Sequence, residues 1–222
     1  MGGKGGLAVL CLSITVLVSG QQNQTTDIVS RLLPSPSNPH KTENVKPADR
    51  DAVVKQLRAA QAHATGERLQ QTAFLLALLN SDYEKNRDYL TYTLRGCTSD
   101  PIRFGCNVDT GEFLMVLFER GHKDALEPLM LYGTNSYNAA LAEMVGDFLA
   151  AALSRHSPDF LSTLRKFPPR TQTRVCGFAG ATDGSGMAFS DLQRLRKILN
   201  KQGDAVALRC LRAVEKSNTP EQ

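Results

Sequence analysis

The sequence predicts an all-α protein in which αα-hairpins repeat in tandem and stack as a short α-solenoid, and three observations carry that prediction. Apolar residues recur at spacings of three and four across residues 48–217. No stretch shows the two-residue alternation of a half-buried strand. The segment from Gly111 to Met130, GEFLMVLFERGHKDALEPLM, is echoed 35 positions later by GDFLAAALSRHSPDFLSTLR, Gly146 to Arg165, with seven of twenty residues identical and no gap. Chance gives about one or two identities at common residue frequencies. The matched Gly, Phe, Leu, Arg, Asp, Leu and Leu fall in the order that a helix, a turn and a second helix need.

The N-terminal elements come first. Met1 to Gly6 carries Lys4 as its charge and leads into an apolar run, Leu7 to Val18, then Ser19-Gly20. Twelve such residues are too few for a hydrocarbon core, which needs about 20, so residues 1–20 read as a signal peptide cleaved after Gly20, with a short uncleaved anchor as the alternative. A secreted or periplasmic location follows, and membrane association is expected only through this segment. Residues 21–47, broken by Pro34, Pro36, Pro39 and Pro47, read as a disordered tether of about 30 Å, with Ile28, Val29, Leu32 and Leu33 an apolar island able to form a short helix.

Residues 48–217 read as one helical repeat domain, and 218–222 as a disordered tail. Val53, Leu57, Ala60 and Ala64 mark a first helix that Gly66 ends, and Leu69 to Leu79 a second that ends at Asn80 and Ser81. A third is expected from Tyr83 to Arg95, stopping at Gly96. Asp109 and Glu112 have capping-box spacing ahead of the Phe113 to Phe118 run, and Gly121 closes that helix. Asn138 or Ser136 caps the next, and Ser157 before Pro158 is a cap signal for the one after. Phe74, Leu75, Leu78 and Leu79 also align with Phe113, Leu114, Leu117 and Phe118, which suggests an earlier unit. The repeat length resembles that of HEAT and TPR-type arrays, although the spaced Trp, Gly and Tyr of the TPR pattern are missing. The competing arrangement is an irregular helical bundle whose two units share only their caps.

Removal of the leader takes Cys11 and leaves Cys97, Cys106, Cys176 and Cys210, an even number in a chain expected to enter an oxidising compartment. Two disulfides are expected, and proximity favours Cys97 with Cys106 and Cys176 with Cys210 among the three possible connectivities. Spacings of nine and 34 without a CxxC pair argue against zinc.

No catalytic, cofactor or metal signature is found. Asp183-Gly184-Ser185-Gly186 starts like a calcium loop, but Met187, Ala188 and Arg194 stand where ligands and a glycine belong. Ser185 lacks the flanking pattern of a nucleophile elbow. His122 and His156 lie at successive hairpin turns, and Arg120 with Asp124 recurs as Arg155 with Asp159.

Charge is the surface feature with reach. Ser81 to Asp159 carries twelve acidic and seven basic residues, whereas Phe160 to Lys216 carries eleven Lys or Arg against four acids. Arg165, Lys166, Arg170, Arg174, Arg194, Lys197, Lys201, Arg209 and Arg212 form the expected basic surface, suited to a protein or an anionic envelope component. Nucleic acid is not expected, because few aromatics intervene and the leader directs the chain out of the cytosol. The function read from these features is non-catalytic binding by an exported helical repeat protein. The alternative is an envelope-associated enzyme or accessory subunit acting on an anionic polymer, with Asp183, Ser185 and His156 as its polar groups.

Overall fold

The computed structural model of the protein describes residues 28–34, 41–99, 108–181 and 189–218. These are helical nearly throughout, with no strand among them, and the chain divides into two compact units between Leu79 and Asn80. The leader, the Asp183–Gly186 stretch with Ser185, and Cys106 lie outside the described residues.

In the first unit, residues 28–32 form a helical turn that buries Ile28, Val29 and Leu32. One-turn 3-10 segments follow at Lys41–Asn44 and Pro47–Asp49. Helix α1, Arg50–Ala62, buries Val54 and Leu57 and packs on α2, Gly66–Leu78. The buried face of α2 is wide, from Gln70 through Ala77, and the Thr72 hydroxyl is satisfied by donating to the Arg68 and Leu69 carbonyls at 3.0 and 2.9 Å. Asn80, at φ 54°, takes the left-handed position just beyond the helix end.

The second unit opens with α3, Tyr83–Ser99, which runs on through Gly96 instead of stopping there. Leu90, Leu94 and Cys97 are wholly buried at helical spacing, and that burial outweighs the roughly 1 kcal/mol that glycine costs a helix interior. The expected earlier repeat would pair α2 with α3, and the fold divides these between two units. Helix α4, Val108–Glu119, holds Asp109 in its first turn and ends where Gly121, at φ 96°, lets the His122 amide donate to the Leu117 carbonyl and the Gly121 amide to that of Phe118. A 3-10 turn, Lys123–Ala125, leads into α5, Leu126–Tyr132, and another, Gly133–Asn135, follows it.

Helix α6, Ala139–Arg155, is capped by Asn138, whose side chain accepts from the Leu141 amide at 3.1 Å while the Ser136 hydroxyl accepts from the Asn138 amide. Ser157 is not the cap of α7, Ser157–Leu164. It is buried, and its hydroxyl donates back to the Leu153 carbonyl at 2.5 Å, the acceptor within reach at the end of α6. The two hairpins α4/α5 and α6/α7 meet like against like, α4 on α6 and α5 on α7, with α3 against α4 and α5.

Three helices close the unit: α8, Pro169–Ala181; α9, Phe189–Gln202; and α10, Ala205–Ser217. Gln172 meets Arg209, Cys176 is bonded to Cys210, and Asn218 donates to the Gly180 carbonyl, so α8 and α10 run side by side in the same direction while α9 returns the chain between them. The expected Cys176–Cys210 disulfide is present, with Cα atoms 5.1 Å apart. Cys97 is also disulfide-bonded, and the partner expected for it, Cys106, is outside the described residues.

Candidate functional site

Two polar features of the second unit are candidates: a line of charged groups at the hairpin turns and the cations of the last three helices. At the first turn, Asp124 accepts from the Tyr83 hydroxyl at 2.6 Å and from the Arg87 guanidinium, which also bonds Asp88 at 2.7 Å and lies over the Tyr83 ring. His122 stacks on the other partner of that network, its ring centroid 4.1 Å from that of Tyr83. At the next turn Asp159 accepts from Lys123 at 2.7 Å. At the start of α10, Asp204 accepts from Arg165 and from the Val206 and Ala207 amides, both at 2.9 Å. Each carboxylate sits beside the start of a helix, where the dipole favours it.

The cations lie 37, 36 and 39 residues before the carboxylates they serve, close to one repeat length. The sequence recurrence reads as an Asp near the start of each second helix with an Arg closing the turn, and Asp124 and Asp159 do stand at those helix starts. The cations they accept from lie earlier in the chain, Arg87 on α3 and Lys123 at the preceding turn, and the packing of α5 on α7 brings Lys123 to Asp159. Opposite charges about one repeat apart are the signal that the sequence carries for these pairs.

These contacts shift the titrating groups. Burial and the bond to Asp124 push the Tyr83 hydroxyl up. Burial opposes the Arg87 charge, yet its bonds to Asp88 and Asp124 outweigh that and raise it. Burial alone would raise Asp124, but Tyr83 and Arg87 hold it below the usual carboxylate range, and the Ala207 amide with Arg165 does the same for Asp204. Burial lowers His122 against the opposing pull of Asp124. All three lowered groups bind protons more readily in the unfolded chain, so their contribution to stability is complete above the unfolded values and is lost as pH falls. The melting temperature is therefore expected to fall first below about pH 6.5, as His122 titrates, and again below about pH 4 as the carboxylates do. His122→Gln should remove the upper step and leave the lower one in melts recorded from pH 3 to 8.

His156 sits edge-on to Phe118, with ring centroids 5.4 Å apart and Nε2 3.9 Å from the nearer Glu119 oxygen. Among the described residues no group of His, Cys, Asp and Glu is arranged to hold a metal ion. A cleft of about 250 Å³ between α3 and α5 is lined by Arg87, Asp88, Asp124, Glu127, Leu131 and Tyr132. Its charges are already paired, Arg87 with two carboxylates and Glu127 with Lys166 at 2.6 Å.

The nine cations expected to form one surface divide into two groups. Arg165, Lys166 and Arg209 are spent on Asp204, Glu127 and Gln172 within the fold. Arg170 and Arg174 on α8, Arg194, Lys197 and Lys201 on α9, and Arg212 on α10 are exposed and make no ion pair among the described residues. Lys216, one turn beyond Arg212, joins them. On α9 the three cations fall at i, i+3 and i+7, opposite the buried Leu195 and Leu199, with Asp191 at the N-terminal edge of the stripe. No described helix is long and apolar enough to cross a membrane. Comparison with protein-family models, with curated proteins and with solved structures finds no match to this chain.

Proposed function

We propose that this is an exported, non-catalytic helical repeat protein whose C-terminal helices bind an anionic macromolecule. Its hairpins α4/α5 and α6/α7, with their like-on-like packing and the cation-to-carboxylate links one repeat apart, support a short solenoid-like stack that serves as a rigid mount. The observation that carries the binding reading is the set of exposed cations on α8, α9 and α10 left unneutralised by the described residues. Such groups raise the encounter rate with an anion and set its orientation. The disulfide between α8 and α10 ties together two of the cation-bearing helices and fits an oxidising compartment.

Two measurements test this reading. Residues 1–47 joined to a reporter should carry it out of the cytosol, and a reporter that stays inside would remove the export. The full chain should be retained by anionic envelope material at low salt and released at high salt. Replacing Arg170, Arg174, Arg194, Lys197, Lys201 and Arg212 together by Gln should abolish retention while shifting stability by no more than about 0.5 kcal/mol per site. Equal retention of the six-fold variant would count against the basic surface.

A further inference from the structure

We infer that the anion taken by this surface is a flexible, linear anionic polysaccharide lying along α9 across Arg194, Lys197 and Lys201. The inference rests on the binding reading above and names its partner. Along the helix axis the three cations are about 4.5 and 6 Å apart, so their head groups form a row that successive charges of an extended chain can follow. A folded protein partner is disfavoured because a stable interface needs a desolvated apolar or aromatic centre. The large apolar side chains exposed among the described residues are Tyr92 and Tyr137, 61 and 77 % exposed, and neither is on α9: one is on α3 and the other just before α6. A membrane surface is disfavoured for the same reason, since an interfacial helix sinks an apolar face into the lipid and α9 turns its apolar face, Leu195 and Leu199, into the core. What remains is attraction driven by counterion release, which a flexible polyanion satisfies without any apolar contact. The expected export places the chain among polysaccharides.

The test uses the full chain, with dextran sulfate as the probe, neutral dextran as its control, and phosphatidylglycerol–phosphatidylcholine vesicles as the competing surface. Dextran sulfate is expected to bind and neutral dextran not. Three cations contribute about 2 to the slope of log affinity against log salt at roughly 0.7 per charge for a flexible chain. Raising salt from about 50 to 200 mM should therefore weaken the native chain some 15 to 20 times more than the triple variant Arg194→Gln, Lys197→Gln, Lys201→Gln. The variant Lys197→Arg, Lys201→Arg should keep the native slope, which a merely structural role for the lysines would not require. An unchanged slope in the triple variant, or loss of binding on replacing Tyr92 and Tyr137 instead, overturns the inference. Binding to vesicles without binding to dextran sulfate overturns the polysaccharide and leaves the basic surface standing. Binding to neither overturns both.

Discussion

Replacing Cys176 and Cys210 together by Ala is expected to cost the second unit about 3.8 kcal/mol, because the bond closes a loop of 34 residues whose freedom returns to the unfolded chain. For a chain of this size each kcal/mol moves the melting temperature by about 2 to 4 °C, so the midpoint should fall by roughly 8 to 15 °C. Both cysteines are fully buried, and the loss of packed volume adds to the chain-entropy cost. The bond also ties two helices that point the same way. Such a pair has no short connection of its own, and the whole of α9 separates its members, so without the crosslink their register depends on packing alone. The effect should appear in thermal melts followed by circular dichroism. Reductant should bring the native chain most of the way to the variant, and its residual effect on the variant reports the Cys97 bond. A midpoint shift under about 2 °C would show that packing of α8 on α10 holds the pair unaided.

Local grammar made much of the helix content legible. Asn138 caps α6 through its own side chain, Gly121 ends α4 in the left-handed conformation, and the apolar spacing of the duplicated segment corresponds to helices that bury Leu114, Leu117, Leu149 and Leu153. The misreadings share a physical origin. Gly96 and Ser157 were judged by local preference, and in each case tertiary surroundings decided: burial of Leu94 and Cys97 carries α3 past the glycine, and a free carbonyl at Leu153 captures the serine hydroxyl. The candidate surface was legible as composition and not as arrangement. A count of basic residues from Phe160 to Lys216 cannot tell Arg165, held by Asp204, from Arg194, which is not, because the difference lies in contacts 39 residues apart in the chain. Direction was equally hidden. Nothing in the spacing of Cys176 and Cys210 says whether the helices they join run together or oppose one another.

Glycine to alanine at two positions should separate close helix contact from ordinary packing, with opposite signs. A Cβ on Gly180 would stand 2.9 Å from the Val214 Cα and 3.0 Å from its carbonyl oxygen. Those are backbone atoms and cannot rotate away. The Asn218 amide, 3.3 Å from the same point, is held by the Gly180 and Val214 carbonyls at 3.0 and 2.8 Å. Overpacking of this kind costs about 1 to 3 kcal/mol and exceeds the roughly 1 kcal/mol that alanine gains in helix preference, so Gly180→Ala should melt several degrees below the native chain. Gly146 lies inside α6, where glycine costs a helix about 1 kcal/mol and close approach of a neighbouring helix would be its compensation. The neighbour is α8, but its nearest atoms, on Phe178, would be 3.5 to 3.8 Å from the new carbon, which is ordinary van der Waals contact. Gly146→Ala should therefore keep the packing, gain most of the helix term and melt about 2 to 4 °C higher. The recurrence of this glycine at Gly111 does not by itself make it necessary. If Gly146→Ala falls as far as Gly180→Ala, then α6 and α8 approach more closely than the Phe178 contact implies, and the glycine is a packing requirement after all.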